Sequence, residues 1–546
     1  MNWKKLLSNE RIKRSSLTDI RNEFESDFGR IIFSPALRRM HDKTQVFPLT
    51  TDDNIHSRLT HSNEVMSIGY TFGLKLCKSQ LIQHKTGKSE LELFRILPIL
   101  LQNVCFIHDI GNAPFGHFGE TIVSDYFKKL EKEKHPNFSK LTPRQKRDFF
   151  NYDGNAQGLR VLTKLQYLDN PFGLNLTYAT LASYLKYPNH EEINTEKEKL
   201  LQDEGEFLKE KNIECSKHGV FYSEEKYFNL IVKECELIND DERILRHPLC
   251  YLMEAADSIA YVCMDMEDGF NKSLFDINYI KDSFKDNFSK IAQDIIEICN
   301  DELSDSNTKI VNIRIKLIAY FVELAYNNFE SHLEKIENGN YNLELVKQDN
   351  NKIYKILEDF SVKKIFTSRE INYLESTGYS VFKGLLDFYI DFIFNNNKKY
   401  VQRAKSLISQ SIISTAIEEN LIDLCEQILK KEKEKINKGL EKFIGNSEHI
   451  ENLQQQNSML EQKILEFEIL KKEYNDLFFE QFKKVLNKEE ITKLKLSKKK
   501  ICKLLDPKFE NLDDYSKFRI ILDFISGMTD QYALNHYQKI SGQRIN

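Results

Sequence analysis

The chain has 546 residues, and its 78 lysines and arginines nearly balance 83 aspartates and glutamates, for a formal net charge of −5. This near balance excludes a wholly basic surface of the kind that marks an obligate nucleic-acid-binding protein. Apolar residues make up 41% of the sequence, which is enough to bury a substantial core and excludes global disorder. At about 100–200 residues per domain, the length predicts several structural units or one large enzyme with insertions.

The nine cysteines are widely spaced and never form a CxxC pair. This pattern argues against both a disulfide scaffold and a cysteine-based zinc knuckle. The first residues, MNWKKLLSNERIKR, lack the apolar run of a signal peptide, and no apolar stretch is long enough to span a bilayer. We therefore expect a reduced, cytoplasmic protein that has no membrane partner.

Helices are predicted to dominate the fold, because only 10 prolines and 20 glycines interrupt a chain rich in leucine, lysine, glutamate and isoleucine. Apolar residues at spacings of three and four predict a helix that leads to His108. The stretches 111–119, 154–173 and 527–542 are rich in glycine and proline, which permit tight turns, so we expect a site there. By contrast, the charged residues 191–217 predict a solvated insertion, to which we assign no chemistry.

The carboxyl-terminal part of the chain carries two further patterns. From Leu453 to Phe478, apolar residues at alternating spacings of four and three predict a long coiled-coil-like helix, in a helical hairpin or at an oligomer contact. An amphipathic helix docked on its own domain fits the same pattern equally well. The lysine-rich stretch 489–508 could bind an anionic ligand or nucleic acid, but a solvated helix face is favoured because no aromatic residues interleave the lysines.

The most informative segment is CFIHDIGNAPFGHFGE, residues 105–120. An apolar helix delivers His108 and Asp109, a glycine-containing turn follows, and His117 and Glu120 stand three residues apart, on one face of the next helix. An adjacent histidine and aspartate supply an imidazole nitrogen and a carboxylate oxygen, a mixed set that suits Mn, Fe, Zn or Mg. A helix-ending histidine with a capping aspartate is the alternative for this pair taken alone.

Residues elsewhere in the chain bear on this choice. The second HD pair, His41-Asp42, has no apolar helix before it and no glycine turn after it, so we reject it as a ligand pair. His61 opens another predicted helix. Asp257 lies within an apolar helix, where an unpaired carboxylate would cost several kcal/mol, so it requires a metal ion or a strong partner.

The order H…HD…D and the surrounding segments resemble the bacterial deoxyguanosine triphosphate triphosphohydrolase family, kin of the animal HD-domain dNTP triphosphohydrolases. The matching segments are RIIFSPALRRMHDKTQVFPL, SRLTHSNEV, FIHDIGNAPFGHFGE, YDGNAQGLRVL, LTYATLASYLKYP, LMEAADSIAYVCMDMED and ISGMTDQYAL. They run from about residue 21 to 270 and return near 510–540, more than half of the chain. The animal relatives have a histidine where this chain has Asn112, so we do not count Asn112 as a proton-transfer group.

The patterns and the resemblance together predict a mainly α fold built on an HD-domain helical core. The HD-type catalytic core would span residues 1–275 and contain the charged insertion. A helical region would follow over 276–430, then the coiled-coil-like, lysine-rich segment 431–505. The last predicted element is a C-terminal helix within 506–546 that returns to the core.

The resemblance implies a metal site and a reaction. By similarity, His61, His108, Asp109 and Asp257 bind a divalent metal ion, with Mn²⁺ or Mg²⁺ as the first expectation and Fe or Zn as alternatives. The family reaction is hydrolysis of a dNTP to the deoxynucleoside and inorganic triphosphate, and dGTP is the favoured substrate. The ion would polarise an α-phosphate oxygen and hold or acidify a water molecule.

The resemblance also assigns the catalytic pair. His117 matches the catalytic histidine of the family, and Glu120 matches its acidic partner. An imidazolium held by a carboxylate suits protonation of the departing 5′-oxygen near neutral pH, so we assign His117 as proton donor and Glu120 as its orienter. Activation of the nucleophile by the same pair is also open. The structural alternative is a solvent-facing histidine at a helix N-terminus.

Six further residues match substrate-contacting positions of the family. The phosphate contacts are Arg58, Lys186 and Tyr187, and the contacts to the sugar and its 3′-hydroxyl are Gln45, Tyr261 and Asp265. An arginine offers phosphate a planar fork, and a lysine offers a point charge. An ordinary surface cation is the alternative for Lys186, and a core tyrosine hydrogen-bonded to Asp265 is the alternative for Tyr261. Tyr515 and Arg519 are looser candidates for the pocket.

Two rival functions stay open. One is an HD phosphohydrolase that acts on another nucleotide, and the other is a nucleic-acid-binding scaffold that senses dNTPs without turnover. The intact ligand set and catalytic pair argue against the scaffold. The resemblance further implies a homo-oligomer and, as in some members, an effector site for dNTPs or single-stranded DNA, for which the heptad and lysine-rich segments are candidates.

Overall fold

The computed structural model describes residues 1–13, 20–50, 52, 54–166, 172–189, 217–239, 241–423, 434, 455–458, 461–462 and 508–544. The mainly α fold is confirmed: the described residues form helices joined by turns, with three isolated bridges and no β-strand among them. The charged insertion 191–217, except Lys217, and almost all of the segment 431–505 lie outside the described residues. The coiled-coil-like helix and its lysine-rich neighbour therefore stay predictions.

The helices of the first half surround the predicted ligands. Their bounds are α1 Trp3–Leu6, α2 Glu23–Ile32, α3 Pro35–Arg39, α4 Arg58–Lys78, α5 Gln80–Thr86, α6 Glu90–Leu93, α7 Leu97–Ile107, α8 Gly116–Lys132, α9 Pro143–Phe150, α10 Gly154–Thr163, α11 Tyr178–Tyr184, α12 Glu225–Glu234 and α13 Pro248–Asn271. Short 3-10 turns occupy Met40–Asp42, Phe138–Lys140 and Tyr222–Glu224.

The helices of the second half continue the same architecture. Their bounds are α14 Ile277–Phe284, α15 Lys290–Asn300, α16 Ser306–Glu337, α17 Ile353–Ser361, α18 Arg369–Ile393, α19 Lys398–Leu407, α20 Asp514–Ser526 and α21 Asp530–Ile540. A π-helical turn follows α17 at Val362–Phe366, a 3-10 turn precedes α20 at Phe509–Asn511, and residues 410–423 are also helical.

Local sequence signals explain where the helices of the site begin. Ser57 and Thr60 form a reciprocal capping box at the start of α4, which satisfies backbone N–H groups that the helix leaves unpaired. Pro248 opens α13, where its fixed φ fits the first helical turn and its missing N–H costs nothing. Each helix start is encoded within a few residues. The starts help to set which helix face carries His61 in α4 and Asp257 in α13.

The largest hydrophobic core among the described residues is built around α4, α7, α13 and α16. Helices α4 and α7 approach closely because α4 carries glycines at the contact. A Cβ atom at Gly69 would overlap the Cys105 side chain, and one at Gly73 would overlap the backbone of Pro98. This close packing brings the middle of α4 against α7, whose end carries the HD pair.

The second core packs α8 and α9 against α18, α20 and α21. Its centre is a cluster of phenylalanine rings, in which Phe127 lies 4.7 Å from Phe149 and 5.8 Å from Phe518 between ring centroids. Tilted and edge-to-face arrangements of this kind add to the stabilisation that burial provides. Helix α8 belongs to this core, whereas α7 belongs to the first, so the turn between them joins the two cores.

A buried ion network ties the carboxyl-terminal helices to the first half of the chain. The guanidinium of Arg160, on α10, is fully buried and lies 2.8 Å from carboxylate oxygens of both Glu224 and Asp523. It also contacts Glu419 at 3.0 Å. The Arg160 and Lys164 cations outweigh the effect of burial on Glu419 and hold its pKa at about 2. The Arg160 cation on α10 therefore binds carboxylates from three other elements of the fold.

Replacement of Arg160 by methionine is expected to lower the free energy of unfolding by about 3–5 kcal/mol, because it leaves buried carboxylates without their shared cation. Urea denaturation followed by circular dichroism measures the loss. The matched control is Lys226→Met, which removes a cation from the exposed pair with Asp423 and should cost less than about 1 kcal/mol. Equal stabilities of the two variants would contradict the expectation.

Candidate active site

Three helices bring the four predicted metal ligands to one point. His61 lies on α4, and His108 and Asp109 follow the last residue of α7; ligand atoms of these three residues all lie within 4.8 Å of one another. Asp257 comes from α13, and its Oδ1 lies 3.2 Å from His61 Nε2 and 3.4 Å from His108 Nε2. Residues separated by almost 200 positions thus form one cluster.

The neighbours of His108 and Asp109 orient them for a cation. His108 Nδ1 lies 2.7 Å from the carbonyl oxygen of Cys105, and a hydrogen bond there leaves Nε2 with its lone pair. That Nε2 is buried and has no hydrogen-bond partner among the described residues. Asn112 and Arg58 donate to the two oxygens of Asp109 at 2.5 and 2.6 Å. The unpaired nitrogen and the mixed donor set fit a divalent metal ion.

The charges of the cluster keep both carboxyl groups ionised. Burial opposes ionisation of Asp109, but Arg58 and the two imidazoles outweigh it and hold its pKa at about 2. Burial likewise opposes the charge on Asp257, yet His108 and His61 keep its pKa well below the usual range. For His108, burial works against protonation, but the two carboxylates raise its pKa to about 9. Both carboxylates are therefore available to a cation, which would displace the proton that they favour on His108 Nε2.

His117 and Glu120 form a hydrogen-bonded pair beside this cluster. His117 Nδ1 lies 2.9 Å from Glu120 Oε2, and the His117 side chain is 77% exposed whereas that of Glu120 is 9% exposed. Glu120 Oε1 accepts the N–H of Gly154, at the start of α10, at 2.8 Å. The hydrogen bond and the charge of Glu120 raise the pKa of His117. A buried, anchored carboxylate thus holds an imidazole that projects outward.

The turn between the two pairs has an unusual backbone. Phe115 and Gly116 both adopt left-handed conformations with φ of +59°, which a non-glycine residue rarely does. A Cβ at Gly116 would lie 2.8 Å from Arg58 Nη2, so a larger residue there would shift the Arg58 guanidinium as well as strain the backbone. At Gly154 a Cβ would overlap Asn112 Oδ1 and lie 2.7 Å from Glu120 Oε1. The motifs GNAPFG and YDGNAQ therefore pack against each other.

The predicted phosphate contacts lie around the cluster. Arg58 is 4% exposed and pairs with Asp109. Lys186 Nζ lies 3.5 Å from Glu254 Oε1 and 3.9 Å from Asp257 Oδ2. It stands over the ring of Tyr187, 5.9 Å from the centroid. An ordinary surface position for Lys186 does not fit these contacts.

Sequence reasoning missed Lys217. Its Nζ lies 5.8 Å from the centroid of the Tyr187 ring and 3.0 Å from Asp153. The positive charge of Lys217 opposes protonation of His117 and so works to lower its pKa. The negative charge of Glu120, in contrast, works to raise the pKa of Lys217. Lys217 ends the charged stretch 191–217, and no signal in the sequence separates it from the other charges there. The structure thus adds a cation on the His117 side of the site.

The predicted sugar contacts offer unpaired polar atoms. Gln45 Oε1 and Asp265 Oδ2 are buried and make no hydrogen bond to any described residue. Tyr261 stacks on Phe366, with 6.0 Å between ring centroids, and the described part of the chain has no hydrogen bond between Tyr261 and Asp265. Burial and the nearby Asp268 raise the pKa of Asp265 well above its usual range. The proposed core pair of Tyr261 and Asp265 is therefore absent.

Four other residues that the sequence analysis weighs have partners outside the cluster. His41 and Asp42 are exposed and contact each other at 2.9 Å, as expected for a surface pair. The Tyr515 hydroxyl donates to Asp148 at 2.5 Å. Arg519 donates to Gln157 at 2.9 Å and belongs to the buried ion network. These partners are internal to the fold.

The fold and the site define the chain as a mainly α, HD-domain protein. A phosphohydrolase-associated domain model matches residues 487–539, the part of the chain that includes α20 and most of α21. None of the described helices is both long and apolar enough to cross a membrane.

Curated relatives cover most of the chain. A deoxyguanosinetriphosphate triphosphohydrolase-like protein of Listeria monocytogenes is 34% identical over 71% of this chain and 84% of its own length. A protein of the same description from Synechocystis is 33% identical over 71% of this chain and 85% of its own. The deoxyguanosinetriphosphate triphosphohydrolase of Cronobacter sakazakii is 30% identical over 67% and 76%, respectively. The chain belongs to the deoxyguanosinetriphosphate triphosphohydrolase family.

Proposed function

We propose that the protein hydrolyses dNTPs, dGTP foremost, to the deoxynucleoside and inorganic triphosphate, and that it depends on a divalent metal ion. The observation that carries the proposal is the placement of an exposed, carboxylate-held imidazole, His117, one turn away from a buried His, His, Asp and Asp cluster. The printed names of the relatives support the same class of substrate.

The metal ion would be held by His61, His108, Asp109 and Asp257. When bound, an ion such as Mn²⁺ or Mg²⁺ supplies Lewis-acid polarisation of an α-phosphate oxygen and lowers the pKa of a water molecule. Fe or Zn would suit the same donors. Asn112 and Arg58 keep Asp109 in place through its two oxygens, so this ligand is oriented before any ion arrives.

His117 is suited to protonate the departing 5′-oxygen of the deoxynucleoside. An alkoxide leaves poorly, and a positioned acid whose pKa lies near the working pH lowers that barrier. Glu120 favours the protonated imidazole and is itself fixed by the Gly154 N–H. Activation of the attacking water by the same imidazole is the second role that this geometry supports.

Cations and unpaired acceptors would bind the rest of the substrate. Lys186, Tyr187 and Lys217 stand together, and with Arg58 they offer three positive charges to a triphosphate. Gln45 Oε1 is a buried acceptor, and Asp265 Oδ2 is a buried acceptor when ionised or a donor when protonated. A sugar hydroxyl could form the missing hydrogen bond with either atom. Tyr261 would exclude a 2′-hydroxyl by packing against C2′ of the sugar.

A product assay tests the proposal. Each dNTP and each NTP is incubated with the protein and Mn²⁺ or Mg²⁺, and products are separated by anion-exchange chromatography. We expect deoxynucleoside and triphosphate in equal amounts, from dGTP fastest, with little product from NTPs. The His41→Ala variant, changed in the exposed HD pair, should match the wild type.

Other outcomes would favour the rivals. Release of orthophosphate, pyrophosphate or a monophosphate would indicate a phosphohydrolase of another kind. Saturable dNTP binding without any product would support the sensing scaffold. Either result would overturn the proposed reaction.

A further inference from the structure

The junction between α20 and α21 reaches across the molecule to the turn that precedes His117. Asp530, the first residue of α21, accepts the Phe115 N–H through Oδ1 at 2.9 Å. Its other oxygen, Oδ2, accepts the Thr44 N–H at 3.0 Å and also the Thr44 hydroxyl. Asp530 is 2% exposed. One buried carboxylate therefore joins three segments of the chain.

A second contact reinforces the first. The ammonium of Lys43, which is 4% exposed, donates to the carbonyl oxygens of Asn112 at 2.5 Å and Ser526 at 2.8 Å. Asn112 and Phe115 bracket the turn that separates the metal ligand Asp109 from His117. The Lys43 and Asp530 contacts, which we call the C-terminal clamp, thus hold both ends of this turn.

The chemistry of the clamp requires a carboxylate at position 530. All three groups that reach Asp530 are donors, and an ionised carboxylate only accepts. The N-terminus of α21 also favours a negative charge there. An asparagine at position 530 would offer one oxygen as an acceptor. Its NH₂ group would face a donor at the place where the second carboxylate oxygen accepts. The substitution therefore removes at least one contact while leaving the size of the side chain almost unchanged.

The turn has reason to need the clamp. Phe115 has a left-handed backbone, which persists in a non-glycine residue only when its surroundings enforce it. His117 comes two residues later, as the second residue of α8, so a change at Phe115 alters the direction from which the imidazole approaches the metal cluster. Helix α18 still holds the Phe115 ring through Phe382, at 6.5 Å between centroids, so the fold does not depend on Asp530 alone.

We propose that Asp530 is a positioning residue that, together with Lys43, sets the orientation of His117 relative to the metal ligands. This inference rests on the proposed function. It makes the phosphohydrolase-associated segment part of the active-site scaffold, although none of the four candidate metal ligands comes from its described residues, 508–539.

The test compares Asp530→Asn with the matched control Asp514→Asn. Asp514 is also the first residue of its helix, α20, but it contacts Asn137 at 3.2 Å, away from the turn. In Asp530→Asn we expect amide hydrogen exchange in peptides covering 113–119 to accelerate at least about tenfold. We expect kcat for dGTP to fall about 10- to 100-fold, with KM within twofold and metal content unchanged. The control should match the wild type in every measurement.

The outcomes are separable. Faster exchange with unchanged kcat would show that Asp530 is merely structural and would overturn the positioning role. Unchanged exchange would overturn the clamp itself. If the wild type hydrolyses no dNTP, the proposed function fails, and the exchange measurement alone still decides whether Asp530 holds the turn. If Asp530→Asn does not fold, Thr44→Val removes only the hydroxyl donor and should lower kcat about 2- to 10-fold; an unchanged kcat in that variant would equally refute the role.

Discussion

Replacement of His117 by alanine is expected to lower kcat for dNTP hydrolysis by at least about 100-fold, while the protein keeps its wild-type metal content. The imidazole lies outside the cluster of candidate metal ligands, and within the described part of the chain it pairs with Glu120. Its loss therefore removes proton transfer without removing a ligand. Steady-state kinetics and metal analysis by mass spectrometry provide the two measurements, and His41→Ala is the matched control. A variant with wild-type kcat would refute the assignment of His117.

The pH profile of the same reaction distinguishes the two roles of His117. Glu120 raises the pKa of His117, so a proton donor stays active up to a correspondingly higher pH and loses activity as the pH rises through that value. Glu120→Gln removes the negative partner and should move this falling limb to lower pH. If activity instead rises with pH through the same value, the imidazole acts as a base and the donor role is wrong.

Replacement of Asp257 by alanine is expected to abolish both metal binding and turnover. Asp257 Oδ1 lies within 3.4 Å of the imidazoles of His61 and His108. Removal of the Asp257 side chain therefore takes away one of the four candidate ligands, together with the negative charge that faces the two histidines. Loss of groups that only orient a ligand lowers metal affinity about 10- to 100-fold, so loss of a ligand should lower it at least as much. Metal content after dialysis measures the effect.

The control for Asp257 lies on the same helix. Glu267, ten residues further along α13, pairs with Arg314 and not with the cluster. Glu267→Ala removes a carboxylate of similar charge and should retain the ion and the activity. Wild-type metal content in Asp257→Ala would contradict the ligand assignment, even if turnover were lost.

Much of the fold and the core of the site could be predicted because each depends on local patterns. The apolar periodicity that precedes His108 predicts a helix with one buried face. The carboxylate of Asp257 within an apolar helix indicates that Asp257 has a metal ion or a charged partner. Family resemblance then joined residues that spacing alone could not relate. His117 and Glu120 are three residues apart, so helical geometry was enough to place them together.

The remaining parts depend on packing between distant segments. The contact between Phe115 and Asp530 joins residues 415 positions apart, and no periodicity encodes such a distance. Lys217 contacts the ring of Tyr187, which is 30 positions away in the sequence. Its sequence neighbours belong to the charged insertion and predict a solvated lysine instead. The heptad pattern after Leu453 stays a prediction.

Gly154 has a consequence for how this site can change over evolutionary time. Its missing side chain leaves room for Asn112, which holds Asp109, and for Glu120, which holds His117. A side chain at position 154 would press on both of these groups at once, so a single substitution there should perturb the proposed metal ligand Asp109 and the proposed acid His117 together.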